Sequence, residues 1–184
     1  QKYGVEPDMA MYGKTLGNGY AITAVVGKKS VMEAAQNTFI SSTFWTERIG
    51  PTAALATLKV MEEVRSWEII TAIGNKMQEG WQKLADGHNL SITISGIPSL
   101  STYSFNGNKA LEYKTFIAQE MLSKGYLAST NFYASTAHNE DNLKLYFEAL
   151  SEVYTIIADC EKGNMKIENL LKGPVCHSGF KRLN

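Results

Sequence analysis

One lysine sits where the chain has most reason to turn. In Gly13-Lys14-Thr15-Leu16-Gly17-Asn18-Gly19 it follows a short apolar run, Met9-Ala10-Met11-Tyr12, and lies between glycines. Glycine permits positive φ and lets a backbone or a ligand come close. A primary amine held in such a turn can condense with a carbonyl to a Schiff base and can carry a proton. The same pattern also fits a plain hairpin turn with a surface lysine. The second chemical stretch is Phe39-Ile40-Ser41-Ser42-Thr43-Phe44-Trp45-Thr46-Glu47-Arg48-Ile49-Gly50-Pro51. Its hydroxyls, with backbone N–H groups, suit an anionic group, and Arg48 suits a carboxylate. The alternatives are a polar loop that caps the next helix and an arginine in a surface or interface ion pair. Other reactive side chains are scattered. His88, His138 and His177 form no metal-spaced pair, and His138 reads as a turn residue. Cys160 and Cys176 form no C-x-x-C motif and read as free thiols. Cys176-His177 lacks a partner carboxylate, so no metal or thiol-catalytic site is expected.

The elements that must position these residues follow from periodicity. Residues 8–12 and 20–27 read as two strands flanking the lysine turn, the second rich in small and β-branched residues. Ser30 is a candidate cap for a helix over 31–37. Gly50-Pro51 marks the start of a helix over 51–65, with Ala53, Ala54, Leu58, Met61 and Val64 at helical spacing. A second helix spans 67–86, with Ile69, Ile70, Ile73, Met77, Trp81 and Leu84 on one face and Trp81 in the core. Strands follow at 91–96 and 100–105, separated by Pro98, the second alternating through Leu100 and Phe105. Next come a helix over 109–123 closed by Lys124-Gly125, a strand over 126–133, and a helix over 139–161 capped by Asn139. The stretch from Gly173 has no period. The expected class is therefore α/β at the start and α+β after it.

The chain has 184 residues, with Lys+Arg 18 balanced by Asp+Glu 18. A formal net charge of zero argues against an electrostatic grip on nucleic acid or an anionic membrane. No apolar run approaches the roughly 20 residues of a membrane span. A start on Gln1-Lys2-Tyr3-Gly4, with neither Met nor a basic-then-apolar leader, reads as the interior of a longer, cytoplasmic chain.

Taken together, Tyr3-Gly4-Val5-x-Pro7-Asp8 and Gly13-Lys14-x-Leu16-Gly17-x-Gly19-Tyr20 resemble the cofactor-lysine segment of the class III (subgroup II) pyridoxal-phosphate-dependent aminotransferases, in the branch that includes glutamate-1-semialdehyde 2,1-aminomutase. Ser42-Thr43-Phe44 leading to Gly50-Pro51 resembles the family's threonine loop. The resemblance implies the end of a type I (aspartate aminotransferase-like) large domain over 1–66, a connecting helix over 67–86, a C-terminal small α+β domain over 87–172 and a tail over 173–184. It implies pyridoxal 5′-phosphate as cofactor, with Lys14 as the Schiff-base lysine and proton shuttle, its pKa lowered by burial. Thr43, with Ser42 beside it, would reach a phosphate across a homodimer interface, and Arg48 would hold a substrate carboxylate. A small-molecule amino donor and a carbonyl acceptor would be the substrates. The chain departs from the pattern at Asn18, where the family has Gly, and at Ala21, where Pro is common. The link Trp45–Ile49 is longer than usual, which makes Thr46 the rival of Thr43. The looser glycine turn favours an aminotransferase over the aminomutase. In the family the acid for the pyridine nitrogen, the ring-stacking residue and the first phosphate turn lie upstream of the lysine. None of Glu6, Asp8 and Glu33 fits the acid, so a further reading is an incomplete fragment acting as a folding or interaction module.

Overall fold

A computed structural model of the chain describes residues 3–44 and 46–179. It divides into two compact units, residues 1–66 and 67–184.

In the first unit β1 (Met9–Tyr12) pairs antiparallel with β2 (Ala24–Gly27), in a register that sets Met9 opposite Gly27 and Tyr12 opposite Ala24. The open end is closed by an ion pair, Lys28 Nζ to Asp8 Oδ1 at 2.8 Å, and by the Lys28 N–H donating to the Asp8 carbonyl at 2.9 Å. The strand expected over 20–27 is confined to its second half. Asn18 and Gly19 have φ of 46° and 107°, and the Tyr20 N–H bonds the Gly17 carbonyl, so the chain is still turning there. The helix expected over 31–37 is likewise split into α1 (Lys29–Met32) and a 3-10 turn over Glu33–Asn37. Ser30 lies inside α1 and caps nothing; Lys28 holds the cap position without a side-chain bond. Helix α2 (Ile49–Val64) ends where Arg65 turns left-handed, at φ 51° and ψ 50°.

Little of this unit's apolar surface is covered by the unit itself. Of the helical stripe expected on α2, Ala54 is buried, whereas Leu58 is 50% exposed and Val64 44%. The strands are apolar on both faces, as strands buried on both sides are, yet Met11, Tyr12, Val25 and Val26 are exposed. A two-stranded sheet is marginal in water by itself.

The second unit has its own core. It runs α3 (Ser66–Gly87), β3 (Ile92–Ile97), β4 (Leu100–Phe105), α4 (Ala110–Ser123), β5 (Asn131–Tyr133) and α5 (Glu140–Glu161). The strands form an antiparallel sheet in the order β3-β4-β5. The inward face of β4 is Ser101, Tyr103 and Phe105. The expected alternation through Leu100 is therefore out of phase, and Leu100 is exposed. Of the strand expected over 126–133 only the end pairs, because the Tyr126 N–H is still engaged by the Met121 carbonyl at the α4 terminus. The closing Gly125 sits at φ 87°, as a left-handed helix stop requires. At the start of α5, the Asn139 side chain accepts from the Asn142 N–H at 2.8 Å, with Glu140 and Asp141 in the first turn.

The core joins Met77, Trp81 and Ala85 of α3 to Tyr103 and Phe105 of β4, with Phe116, Ile117 and Met121 of α4 and Leu150, Tyr154 and Ile157 of α5. Trp81 is 1% exposed, its ring centroid lies 4.7 Å from that of Tyr103, and its Nε1–H donates to the Tyr146 hydroxyl at 2.9 Å. Burial pushes the Tyr103, Tyr146 and Tyr154 hydroxyls well above their ordinary pKa, so they stay neutral members of the core. Two of the three histidines bond within the fold. His88 Nε2 bonds Ser151 Oγ at 3.1 Å, and His138 Nδ1 accepts from the Ser135 N–H at 3.0 Å, which makes it a turn residue as expected. Both cysteines are free thiols: Cys160 is buried, and Cys176 has its N–H on Thr115 Oγ1 at 2.9 Å.

Candidate active site

The turn between β1 and β2 presents Lys14. Gly13 is extended (φ −158°), and Lys14 itself is left-handed at φ 48°, an uncommon state for a side-chain-bearing residue. Three backbone bonds hold it there. The Leu16 N–H reaches the Gly13 carbonyl at 3.1 Å, the Gly17 N–H caps onto the Lys14 carbonyl, and the Asn18 N–H reaches that same carbonyl at 3.1 Å. A strained lysine fixed by its neighbours is the kind of outlier from which a functional role is argued. Gly17 is buried and cannot carry a side chain: a Cβ there would overlap the Tyr20 carbonyl and stand 2.8 Å from Ile22 Cγ2. Asn18 tolerates the left-handed region because its short polar side chain suits it, so its place in a glycine pattern has a physical basis.

Lys14 lines a cleft of about 610 Å³ with Tyr20, Ile22, Ser42, Phe44, Glu47 and others. The lysine and the hydroxyl loop, far apart in sequence, are thus brought to one cavity. Ser42 Oγ accepts from the Phe44 N–H at 3.2 Å, which leaves its O–H free to donate. Lys14 is exposed, so the burial expected of it is not supplied by the described residues of this chain. Thr43 and Thr46 are exposed and line no described cavity with Lys14. Arg48 lines a second cavity of about 400 Å³, with Tyr20, Ile49, Thr52, Ala53 and Ala56. Tyr20 borders both cavities.

Sequence reasoning passed over Glu47. Its carboxylate accepts from the Ile49 N–H through Oε1 and from the Gly50 N–H through Oε2, the latter at 3.0 Å, and so caps α2. The signal was an acid two residues before the first helical N–H, ahead of a Gly-Pro start. Gly50 is buried because the helix begins against the chain: a Cβ there would stand 2.8 Å from the Ala21 carbonyl oxygen.

These residues fit one side of a pyridoxal phosphate site. An amine faces a cleft within the size range of small-molecule sites, with a free hydroxyl donor beside it. The carboxylate lining the cleft is engaged by α2 and does not stand ready for a ring nitrogen. Among the described residues no group of three His, Cys, Asp or Glu side chains could hold a metal ion, and no helix is long and apolar enough to cross a membrane.

The chain is similar to known proteins over most of its length. The family described as "Aminotransferase class-III" matches residues 1–153. The chain is 34% identical over 113 residues to 3-aminobutyryl-CoA aminotransferase of Cloacimonas acidaminovorans, an alignment covering 61% of this chain and 27% of that enzyme. It is 26% identical over 158 residues to glutamate-1-semialdehyde 2,1-aminomutase of Persephonella marina, covering 77% of this chain and 37% of that one. In fold it matches the FumI protein of Sphingopyxis sp. MTA144, solved in its PLP internal aldimine form. The TM-score is 0.76 at 24% identity, over 92% of this chain and 42% of that one. The expected fold, the end of a type I pyridoxal-phosphate transferase, agrees with that match. The chain spans well under half the length of the proteins it matches.

Proposed function

The chain belongs to the class III aminotransferases, and from that premise we propose that it supplies the lysine side of a transamination site, with Lys14 as the residue that anchors pyridoxal 5′-phosphate. The observation that carries this reading is Lys14 held in a left-handed turn on a cleft of about 610 Å³. The cofactor, when bound, supplies the electron sink that makes a substrate Cα proton removable. Lys14 Nζ would be the group that holds and moves that proton at the substrate Cα. The left-handed turn aims the amine by fixing its backbone, independently of what covers the cleft. Thr43, with Ser42 beside it, or in the alternative register Thr46, would donate to a phosphate across the homodimer interface. Arg48 takes a substrate carboxylate from the cavity next to Tyr20.

The substrates are a small-molecule amino donor and a carbonyl acceptor, the assembly a homodimer and the setting cytoplasmic. Residues 1–66 form the remainder of the cofactor-binding domain, 67–86 the connecting helix, 87–172 the small domain and 173–184 a tail. The likeness to a glutamate-1-semialdehyde aminomutase supports a second reading, intramolecular amino transfer with the same lysine. The exposed apolar strands of the first unit support a third, in which the chain alone is a folding module awaiting the rest of a site. Visible absorbance on adding pyridoxal phosphate separates the first two from the third. In the full-length protein wild type gains a yellow band that Lys14→Ala lacks; a colourless full-length wild type sinks the catalytic reading. Product analysis on glutamate-1-semialdehyde against ordinary donor–acceptor pairs separates the first from the second.

A further inference from the structure

The chain holds the dipeptide Asn-Gly twice, at Asn18-Gly19 in the lysine turn and at Asn106-Gly107 after β4. In such a pair the asparagine amide is open to attack by the next backbone nitrogen, because glycine puts no side chain in the way. Both asparagines are exposed, so access to water does not separate them. Their hydrogen bonds do. Asn106 has both ends of its amide engaged: Oδ1 accepts from the Thr93 hydroxyl at 2.8 Å, and Nδ2 donates to Ser91 Oγ at 2.9 Å. Its backbone N–H is held as well, by the Ser91 carbonyl at 2.9 Å. The Asn18 side chain has no hydrogen-bond partner among the described residues, and the Gly19 N–H donates to no described carbonyl. The space where a Gly19 side chain would stand is open. Asparagine meets the left-handed requirement at position 18, but it brings an amide that glycine lacks.

We propose that Asn18 is a site of spontaneous deamidation, and that the product loosens the turn which fixes Lys14. The Gly19 backbone nitrogen attacks Asn18 Cγ. The new N–Cγ bond forms as the Cγ–Nδ2 bond breaks, and the proton lost by Gly19 leaves with Nδ2 as ammonia. Water then opens the succinimide ring at either carbonyl, giving aspartate or isoaspartate, and water is the only co-reactant. Either product sets a carboxylate where the turn had a neutral amide. The iso form also adds a backbone carbon between residues 18 and 19. The turn has little slack for it. The Asn18 N–H is bound to the Lys14 carbonyl and the Tyr20 N–H to the Gly17 carbonyl, both at 3.1 Å, and Gly17 is packed against the Tyr20 carbonyl. The added carbon displaces the Tyr20–Gly17 bond, and Tyr20 lines the Lys14 cleft. The modification stands on these residues alone; only its effect on cofactor uptake rests on the proposed function above.

The test is peptide mapping by mass spectrometry of the full-length protein aged in mildly alkaline buffer, scoring amide-to-acid conversion and isoaspartate at both Asn-Gly pairs. Asn18 converts at least about tenfold faster than Asn106, the scale of the side-chain hydrogen bonds that must break first at Asn106. In urea the two rates come together. Conversion of Asn18 no faster than that of Asn106 in the folded protein overturns the proposal, and so does a gap that survives unchanged in urea. Aged samples are then given pyridoxal phosphate and reduced with borohydride. The Lys14 adduct falls in step with isoaspartate content in wild type and stays constant in Asn18→Gly, which has no amide to lose. An adduct that stays constant in aged wild type overturns the effect on Lys14. Conversion is read by mass without cofactor, so a Lys14 that takes up no pyridoxal phosphate in fresh protein counts against the proposed function, while the mass readout still decides the modification.

Discussion

Replacing Tyr146 by Phe removes one oxygen and nothing else, and the structure says what that oxygen does. It accepts the Trp81 Nε1–H at 2.9 Å, and Trp81 is 1% exposed. Without it a buried indole donor has neither a protein partner nor ready access to water. Leaving such a donor unsatisfied costs about 1–3 kcal/mol, more than the roughly 1 kcal/mol that a satisfied hydrogen bond contributes net. For a domain of this size, with a urea slope near 2 kcal/mol per molar, Tyr146→Phe lowers the midpoint by about 1 M. The assay is urea unfolding followed by far-ultraviolet circular dichroism, with tryptophan fluorescence as a second probe. Trp81→Phe provides the control, since it removes the donor but leaves a cavity. In the Trp81→Phe background Tyr146→Phe costs little, because no donor is left stranded, and the two changes are strongly non-additive. Equal costs in both backgrounds would refute the reasoning. So would a Tyr146→Phe midpoint within error of wild type.

Two further outcomes concern titration and reactivity. Hydrogen bonding and Coulomb attraction from Lys76 hold the Glu140 carboxyl below its ordinary pKa. A depressed folded-state pKa gives stability that is present above the unfolded value and lost as pH falls through the folded one. The small deficit of Glu140→Gln at neutral pH therefore begins to fade as pH falls below the ordinary glutamate value of about 4.3 and is gone only below the lower folded one, and it shrinks in high salt, checked by urea midpoints across that range; a deficit that persists below the folded value contradicts the pairing. Burial pushes the Cys160 thiol up, while Cys176 is only partly buried. Iodoacetamide mapped by mass spectrometry accordingly labels Cys176 first in the folded chain, and Cys160 becomes equally labelled only in urea.

The second unit was legible in the sequence because it buries its own stripes. Ile73, Met77 and Trp81 on α3, and Leu150, Tyr154 and Ile157 on α5, recur at helical spacing and are buried where that spacing puts them. The first unit was less legible for a physical reason. Its strands are apolar on both faces, so period-2 alternation is missing, and the length of β2 was decided by the backbone of Asn18 and Gly19. The same held for Leu100, where a bulky residue at a strand start masked the true inward set at Ser101, Tyr103 and Phe105. At the candidate site, Lys14 and Ser42 were readable as residue types at two turns, and the fold brings them to one cleft. Arg48 was readable too, but it lines a neighbouring cavity. Glu47 was missed because the helix was expected to start at 51, whereas it starts at Ile49, two residues after Glu47 and within reach of its carboxylate.

Borohydride trapping shows which lysine takes up the cofactor. The chain is mixed with pyridoxal 5′-phosphate, reduced, digested and mapped, so that each lysine is scored for a stable pyridoxyl adduct. Lys28 and Lys29, both exposed in the same unit, are internal controls. Lys14 is labelled ahead of both, and Lys14→Ala removes this preferred adduct without raising theirs. Labelling spread evenly over Lys14, Lys28 and Lys29 would contradict the assignment of Lys14.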